Sequence, residues 1–284
     1  MKNEKVTIQT LLEMKAKGEK ITMFPAYDYP MASLLDRANA DIIIIGDSLA
    51  MVILGHDHTI SVTMEEMIHH CKPVVKACKR AMVVGDMPFG SYQISEEQAV
   101  QNAIRFMKEG GVEAIKLEGG GGVAGVTKAI VKAGVPVIGH IGLTPQTVFQ
   151  IGGYKVQGKS ASIAKNIIED ALALEEAGAF AIVMECIPAP VSRIITQRLK
   201  IPTIGIGAGI DCDGQTLITY DILGLFDRFI PKFVKRYANL SPTIVEALQN
   251  CIKEIQEGKF PETKHSFTMN EDELKILKET FLKE

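Results

Sequence analysis

The chain has 284 residues, 46% hydrophobic and 23% charged, with a formal net charge of −3, which suits a globular protein with a sizeable core. Charges of both signs are interspersed, which excludes the basic footprint of a nucleic-acid binder or of a protein held on an anionic membrane. No apolar run approaches the ~20 residues of a membrane span, and the charged N-terminus MKNEKVTIQTLLEMKAKGEK lacks the apolar core of a secretory signal, so a cytoplasmic location is expected. In chain order, a helix is predicted over about 7–18. Then come ITMFPAYD (21–28), DIIIIGDS (41–48), AMVVGDMP (81–88), EAIKLEGG (113–120), PVIGHIGL (136–143), AFAIVMEC (179–186) and PTIGIGAG (202–209). Each is a short apolar, often β-branched run that ends in Gly, Pro or a polar group, the pattern of parallel strands covered on both faces.

Segments with helical spacing lie between most of these runs. SEEQAVQNAIRFMKEGG (95–111) offers Ser95 and Gln98 as an N-terminal capping box and Gly110 as a stop; ASIAKNIIEDALALEEAG (161–178) ends at Gly178. TLITYDILG (216–224) is the candidate eighth strand, SPTIVEALQNCIKEIQEG (241–258) a closing helix, and the charged segment 259–284 a peripheral tail. Eight β units with helices between them predict one (β/α)8 barrel domain over 1–284. An open doubly wound sheet is the runner-up, but the first βα turn has no G-x-G-x-x-G.

A barrel builds its active site at the C-terminal ends of its strands. Those ends carry Asp47, Asp86, Lys116 with Glu118, His140 and Glu185. Asp47, Asp86 and Glu118 fall on successive strands and would form an arc of carboxylates, which repel one another unless a cation joins them. Oxygen ligands without a cysteine cluster suit Mg²⁺.

Other candidates are weaker. His56 and His58 in GHDH (55–58) have no third soft ligand nearby and read as a polar loop. His69 and His70 read as helix surface. GGGG (119–122) reads as a flexible exit after Glu118, and GIGAG (205–209) as a short, unspecific likeness to a phosphate loop. Cys186 has no histidine placed by the sequence to activate it and reads as packing. The five cysteines, odd in number and without C-x-x-C spacing, read as reduced thiols.

These strings together resemble the ketopantoate hydroxymethyltransferase family. The resemblance rests on AYDYPMA (26–32), GDSLAM (46–51), GHD (55–57), DMPF (86–89), KLEGG (116–120), GHIGLTPQ (139–146), GGYKVQGK (152–159), IGIGAG (204–209), DGQ (213–215), PKF (231–233) and HSF (265–267), in family order. It implies a (β/α)8 TIM barrel of the phosphoenolpyruvate/pyruvate type and a cytoplasmic enzyme of pantothenate biosynthesis. Such an enzyme uses one Mg²⁺ per subunit and 5,10-methylenetetrahydrofolate to hydroxymethylate the keto acid 3-methyl-2-oxobutanoate. By motif match, Asp47, Asp86 and Glu118 fall on metal positions. Asp47, Ser48, Asp86 and Lys116 fall on keto-acid positions, and Glu185 falls on the general base. Folate is large and is expected at the open mouth of the barrel, with Tyr27 and His140 as candidates for the folate or substrate vicinity. The resemblance also implies a homo-oligomer, commonly a decamer. Ala50 stands where the family usually has glycine. The alternative reading is a lyase or mutase of the same barrel superfamily acting on an α-keto acid.

Overall fold

Ile42 and Ile44 of the isoleucine run face one way, Ile43 and Ile45 the other, and all four are buried. Each buried isoleucine contributes about 1.5–3 kcal/mol, and only a strand covered on both faces collects that from every position. The computed structural model, which describes residues 4–226 and 228–282, has eight such parallel strands closed into a barrel in sequence order. They are β1 (Ile21–Pro25), β2 (Ile42–Ile45), β3 (Met82–Asp86), β4 (Ala114–Glu118), β5 (Val137–Gly142), β6 (Ala181–Glu185), β7 (Thr203–Ile206) and β8 (Gly214–Thr216).

The helices are α1 (Ile8–Lys17), α2 (Tyr29–Arg37), α3 (Leu49–Val52), α4 (Met64–Ala77), α5 (Glu96–Arg105), α6 (Ala124–Lys132), α7 (Val148–Ile151), α8 (Ala161–Glu176), α9 (Ala189–Arg198), α10 (Thr219–Ile222), α11 (Leu240–Gln256) and α12 (Glu271–Phe281). By their contacts the described residues form two units: 4–222 with 226 and 228–236, and 223–225 with 237–282. The first holds the barrel and α1–α10. The second holds α11 and α12, neither of which has a buried residue.

Local signals set the helix ends. The Ser95 hydroxyl accepts from Gln98 N–H at the start of α5, and the helix runs on through a π turn, Phe106–Gly110, before Gly111 stops it at φ 79°. Gly178 follows α8 at φ 99°; its N–H reaches Glu175 O, and Ala179 N–H reaches Leu174 O. Those two bonds satisfy carbonyls that the helix end leaves open.

The eighth strand departs from expectation. It lies at 214–216, and most of the apolar run 216–224 belongs instead to α10 and its flanks. Gly214 pairs with Ile21 and Ile204 so closely that a Cβ there would lie 2.5 Å from Ile21 O. The barrel is closed by a backbone without an apolar signature, and Thr219 Oγ1, donating to Pro25 O at 2.6 Å, ties α10 to β1.

Strand alternation sorts the side chains. Met23, Ile42, Ile44, Met82, Val84, Ala114, Ile138, Ala181, Val183, Ile204 and Ile206 share one cluster inside the barrel. Val6 and Leu11 belong to the same cluster, with Ile8 and Met14 packed against it, so α1 seals the N-terminal end of the barrel. Ile43, Ile45, Val83, Ile115 and Leu117 pack outward against helices.

Candidate active site

Two residues beyond the apolar interior positions, the same strand faces turn polar. Val84 is followed inward by Asp86, Ala114 by Lys116 and Glu118, Ile138 by His140, and Val183 by Glu185. Register brings them level: Asp86 pairs with Lys116 and Glu118 with His140. Gly142 pairs with Glu185, and at φ 93° a Cβ on it would meet Glu185 O at 2.3 Å, so only glycine lets β6 pass here. These residues, with Asp47 and Ser48, line one cavity of about 450 Å³.

Lys116 Nζ lies 2.8 Å from Asp86 Oδ1 and 3.7 Å from Glu118 Oε1. His140 lies between the two halves of the site, its Nδ1 3.4 Å from Glu118 Oε1 and its Nε2 3.3 Å from Glu185 Oε2. The Asp47 N–H donates to Asp86 Oδ2 at 3.1 Å. The Ser48 and Tyr27 hydroxyls are 2.7 Å apart.

Burial and the charges of Asp86 and Glu118 push the Asp47 carboxyl well above the ordinary carboxylate range, against the pull of Lys116 and Gln146. Burial also raises Asp86, with Lys116 opposing. Burial acts on Glu118 in the same direction, but Lys116, His140 and the Gln146 N–H outweigh it and hold Glu118 low. For His140, burial and Lys116 favour the neutral ring, and the hydrogen bonds to Glu118 and Glu185 overcome them, lifting it to about 9. The Lys116 ammonium is stabilised by Asp86, Glu118 and Asp47 in spite of its burial.

Three buried carboxyl groups crowd round Lys116, two of them, Asp47 and Asp86, pushed toward holding a proton, and Asp86 Oδ1 is buried without a well-directed hydrogen bond. A hard divalent cation fits that crowding: it would take the place of the protons on Asp47 and Asp86 and meet carboxylate oxygens, while the His140 ring nitrogens face Glu118 and Glu185. Among the described residues no three His, Cys, Asp or Glu side chains form a ligand set by themselves. A protein share of one or two carboxylates, completed by substrate and water oxygens, is the habit of Mg²⁺.

The residues read from the strand ends thus converge. Tyr27 does not line the cavity: it is 1% exposed and acts on it through Ser48. His70, read as surface, is half-buried, with Nδ1 2.6 Å from Tyr27 O. Ala50 is fully buried, its methyl group in the outer core beside Leu49. His58 stays in its loop, edge-on to Phe149. Cys186 is half-buried with its thiol raised to about 11, mainly by burial, which does not suit a nucleophile.

Gln146 escaped the sequence reading. Buried on the loop after β5, its Nε2 donates to Asp47 Oδ2 at 3.0 Å and Met87 O at 2.9 Å, and its backbone N–H donates to Glu118 Oε2 at 3.0 Å. Its Oε1 accepts from the Tyr92 hydroxyl at 2.7 Å. The one available signal was its place at the end of GHIGLTPQ, directly after a strand that delivers His140.

Fold and site together define a (β/α)8 barrel with a buried polar cluster at the C-terminal ends of its strands, the arrangement of a barrel enzyme. Two solved barrels share the fold. The structure of 2,3-dimethylmalate lyase, a PEP mutase/isocitrate lyase superfamily member, has a TM-score of 0.58 at 14% identity, covering 97% of this chain and 96% of that one. Phosphoenolpyruvate phosphomutase from Streptomyces platensis subsp. rosaceus gives 0.58 at 15%, covering 97% and 99%. The sequence profile of ketopantoate hydroxymethyltransferase matches residues 5–263. The 3-methyl-2-oxobutanoate hydroxymethyltransferase of Carboxydothermus hydrogenoformans is 56% identical, over 94% of this chain and 96% of its own. That of Moorella thermoacetica is 57% identical, over 93% and 98%. The chain belongs to the ketopantoate hydroxymethyltransferase family.

Proposed function

We propose that this chain transfers a hydroxymethyl group from 5,10-methylenetetrahydrofolate to 3-methyl-2-oxobutanoate, with water giving 2-dehydropantoate and tetrahydrofolate, on the way to pantothenate and coenzyme A. One observation carries the reading: a buried carboxylate–lysine cluster and a separate carboxylate, Glu185, face one cavity from different strands. One Mg²⁺ per subunit, held by Asp47 and Asp86 with Glu118 beside them, would polarise the keto oxygen and acidify the adjoining C3–H.

The protein groups do the rest. Lys116 offsets the charge of the substrate carboxylate. Ser48, oriented by Tyr27, positions that carboxylate. Glu185 takes the C3 proton, and His140, within reach of Glu185 Oε2 at 3.3 Å, steadies the base. The electron pair left at C3 forms the C–C bond to the methylene carbon of the folate iminium, whose π pair moves to N5; the C–N5 bond then breaks and water replaces it, its hydroxyl going to the carbon and its proton to N5, which frees tetrahydrofolate. The chain acts in the cytoplasm as a homo-oligomer, a decamer by family habit. The apolar row Ile244, Leu248, Ile252 and Ile255 on α11, all exposed in the single chain, supports association with further copies.

The test is proton exchange. With Mg²⁺ and keto acid in D₂O, the enzyme should replace C3–H by deuterium without folate, and a chelator should stop it. Glu185→Gln should slow exchange about 10²-fold or more while the keto acid still binds. Exchange at the normal rate in Glu185→Gln would move the base to another group, with His140 the next to substitute.

A further inference from the structure

The cavity has a second wall that the chemistry above does not use. It is built where the chain leaves β8, and its acidic member is Asp221 on α10. Asp221 is 7% exposed. Among the described residues no hydrogen bond or ion pair to its carboxylate forms; Arg236 acts on it only through space, and burial raises it to about 6. Around it the wall is broad and largely apolar, formed by Ile218, Phe229, Pro231 and Phe233, with Lys232 also lining the cavity but making no ion pair with Asp221 among the described residues. Asp47, Asp86 and Glu118 lie on β2–β4 and the loop after β2, so this carboxylate is no part of the metal cluster.

A buried carboxylate without donors is costly, and it persists where a ligand brings the donors. Its two oxygens accept best from two parallel N–H groups. An apolar wall beside it asks for a flat ring carrying that donor pair at one edge. The keto acid has neither feature. The one-carbon donor has both: its pterin ring bears an N3–H beside a 2-amino group. We propose that Asp221 is the residue that recognises the folate co-substrate, its carboxylate receiving the N3–H and 2-amino N–H of the pterin. The assignment rests on the folate reading above and adds to it the group that selects the co-substrate.

The experiment is calorimetric titration of tetrahydrofolate into enzyme saturated with Mg²⁺ and keto acid. Asp221→Asn keeps the shape and puts an N–H where an acceptor is needed. It should weaken tetrahydrofolate binding by about 10- to 100-fold, the worth of hydrogen bonds to a charged group. Keto-acid affinity and folate-free C3–H exchange should stay unchanged. An analogue lacking the 2-amino group should lose a similar factor on wild-type enzyme and little on Asp221→Asn. The analogue also gives a readout on wild-type enzyme alone, should the variant fail to fold. Equal tetrahydrofolate affinity in wild type and Asp221→Asn, or full affinity of wild type for the analogue, overturns the assignment. Loss of keto-acid binding together with folate binding in Asp221→Asn would overturn it too, by showing a general structural role beside Arg236. If wild-type enzyme neither binds tetrahydrofolate nor makes product from its methylene derivative, the folate reading of the whole site fails, and Asp221 is not what failed.

Discussion

Gln146 shows how one uncharged side chain can set the electrostatics of a charged site. Its amide satisfies Asp47, Met87 O and Tyr92 together, and its backbone N–H satisfies Glu118. Gln146→Leu keeps the bulk and strands two buried groups, Asp47 Oδ2 and Met87 O, each costing about 1–3 kcal/mol, while the Tyr92 hydroxyl keeps its bonds to the Glu118 backbone. The expected result is a loss of about 3 kcal/mol in stability and keto-acid binding weakened at least ~10-fold, since Asp47 loses the donor that favours its ionised form. Urea unfolding and calorimetry measure the two effects; wild-type values for both would mean the network is inert. The charged residues of the site were legible in the sequence because a carboxylate after an apolar strand contradicts its surroundings. A glutamine in a loop contradicts nothing, so its role shows only when Asp47 and Glu118, 99 and 28 residues away in sequence, are seen on either side of it.

At the level of elements, the glycine before Asp86 does the positioning. A Cβ on Gly85 would lie 2.5 Å from the Phe106 ring, which is fully buried where α5 passes into its π turn. Gly85→Ala therefore forces β3 and the helix apart, at a cost of about 1–3 kcal/mol for overpacking. Because Asp86 is the next residue, metal affinity should fall with stability. Adding Phe106→Leu should recover part of both, and denaturant midpoints with metal titrations of the single and double variants would show it; independent, additive effects would refute the contact as the cause. Seven strands could be read from their apolar runs because helices cover their outer faces. β8 could not: its three residues, Gly-Gln-Thr, have one exposed member and no hydrophobic signal. The nearby run that has one, LITYDIL, is largely spent on α10. Hydrophobicity marks what is covered, and this strand is defined by what it fits between.

For the molecule as a whole, the segment beyond the barrel is the part least readable from pattern. The periodicity of 241–258 correctly gives a helix, observed as Leu240–Gln256. The helical spacing does not say that it belongs, with 237–282, to a unit whose described helices bury none of their own residues. The barrel unit holds the candidate site, and α1 packs across its N-terminal end. That packing has a kinetic meaning. The candidate reacting groups lie deep in the cavity, with Asp86 at 1% and His140 at 3% exposure, and α1 packs against the other end of the barrel interior. On the proposed reaction, the small acid is expected to go in before the bulky carbon donor and to come out, as product, after it. Initial-rate measurements should give an intersecting, compulsory-order pattern with the keto acid leading. Tetrahydrofolate, first to depart, should be a noncompetitive inhibitor against the keto acid, and 2-dehydropantoate, last to depart, a competitive one. A random-order pattern would require a second way in, and the obvious place to look for it is the underside that α1 covers.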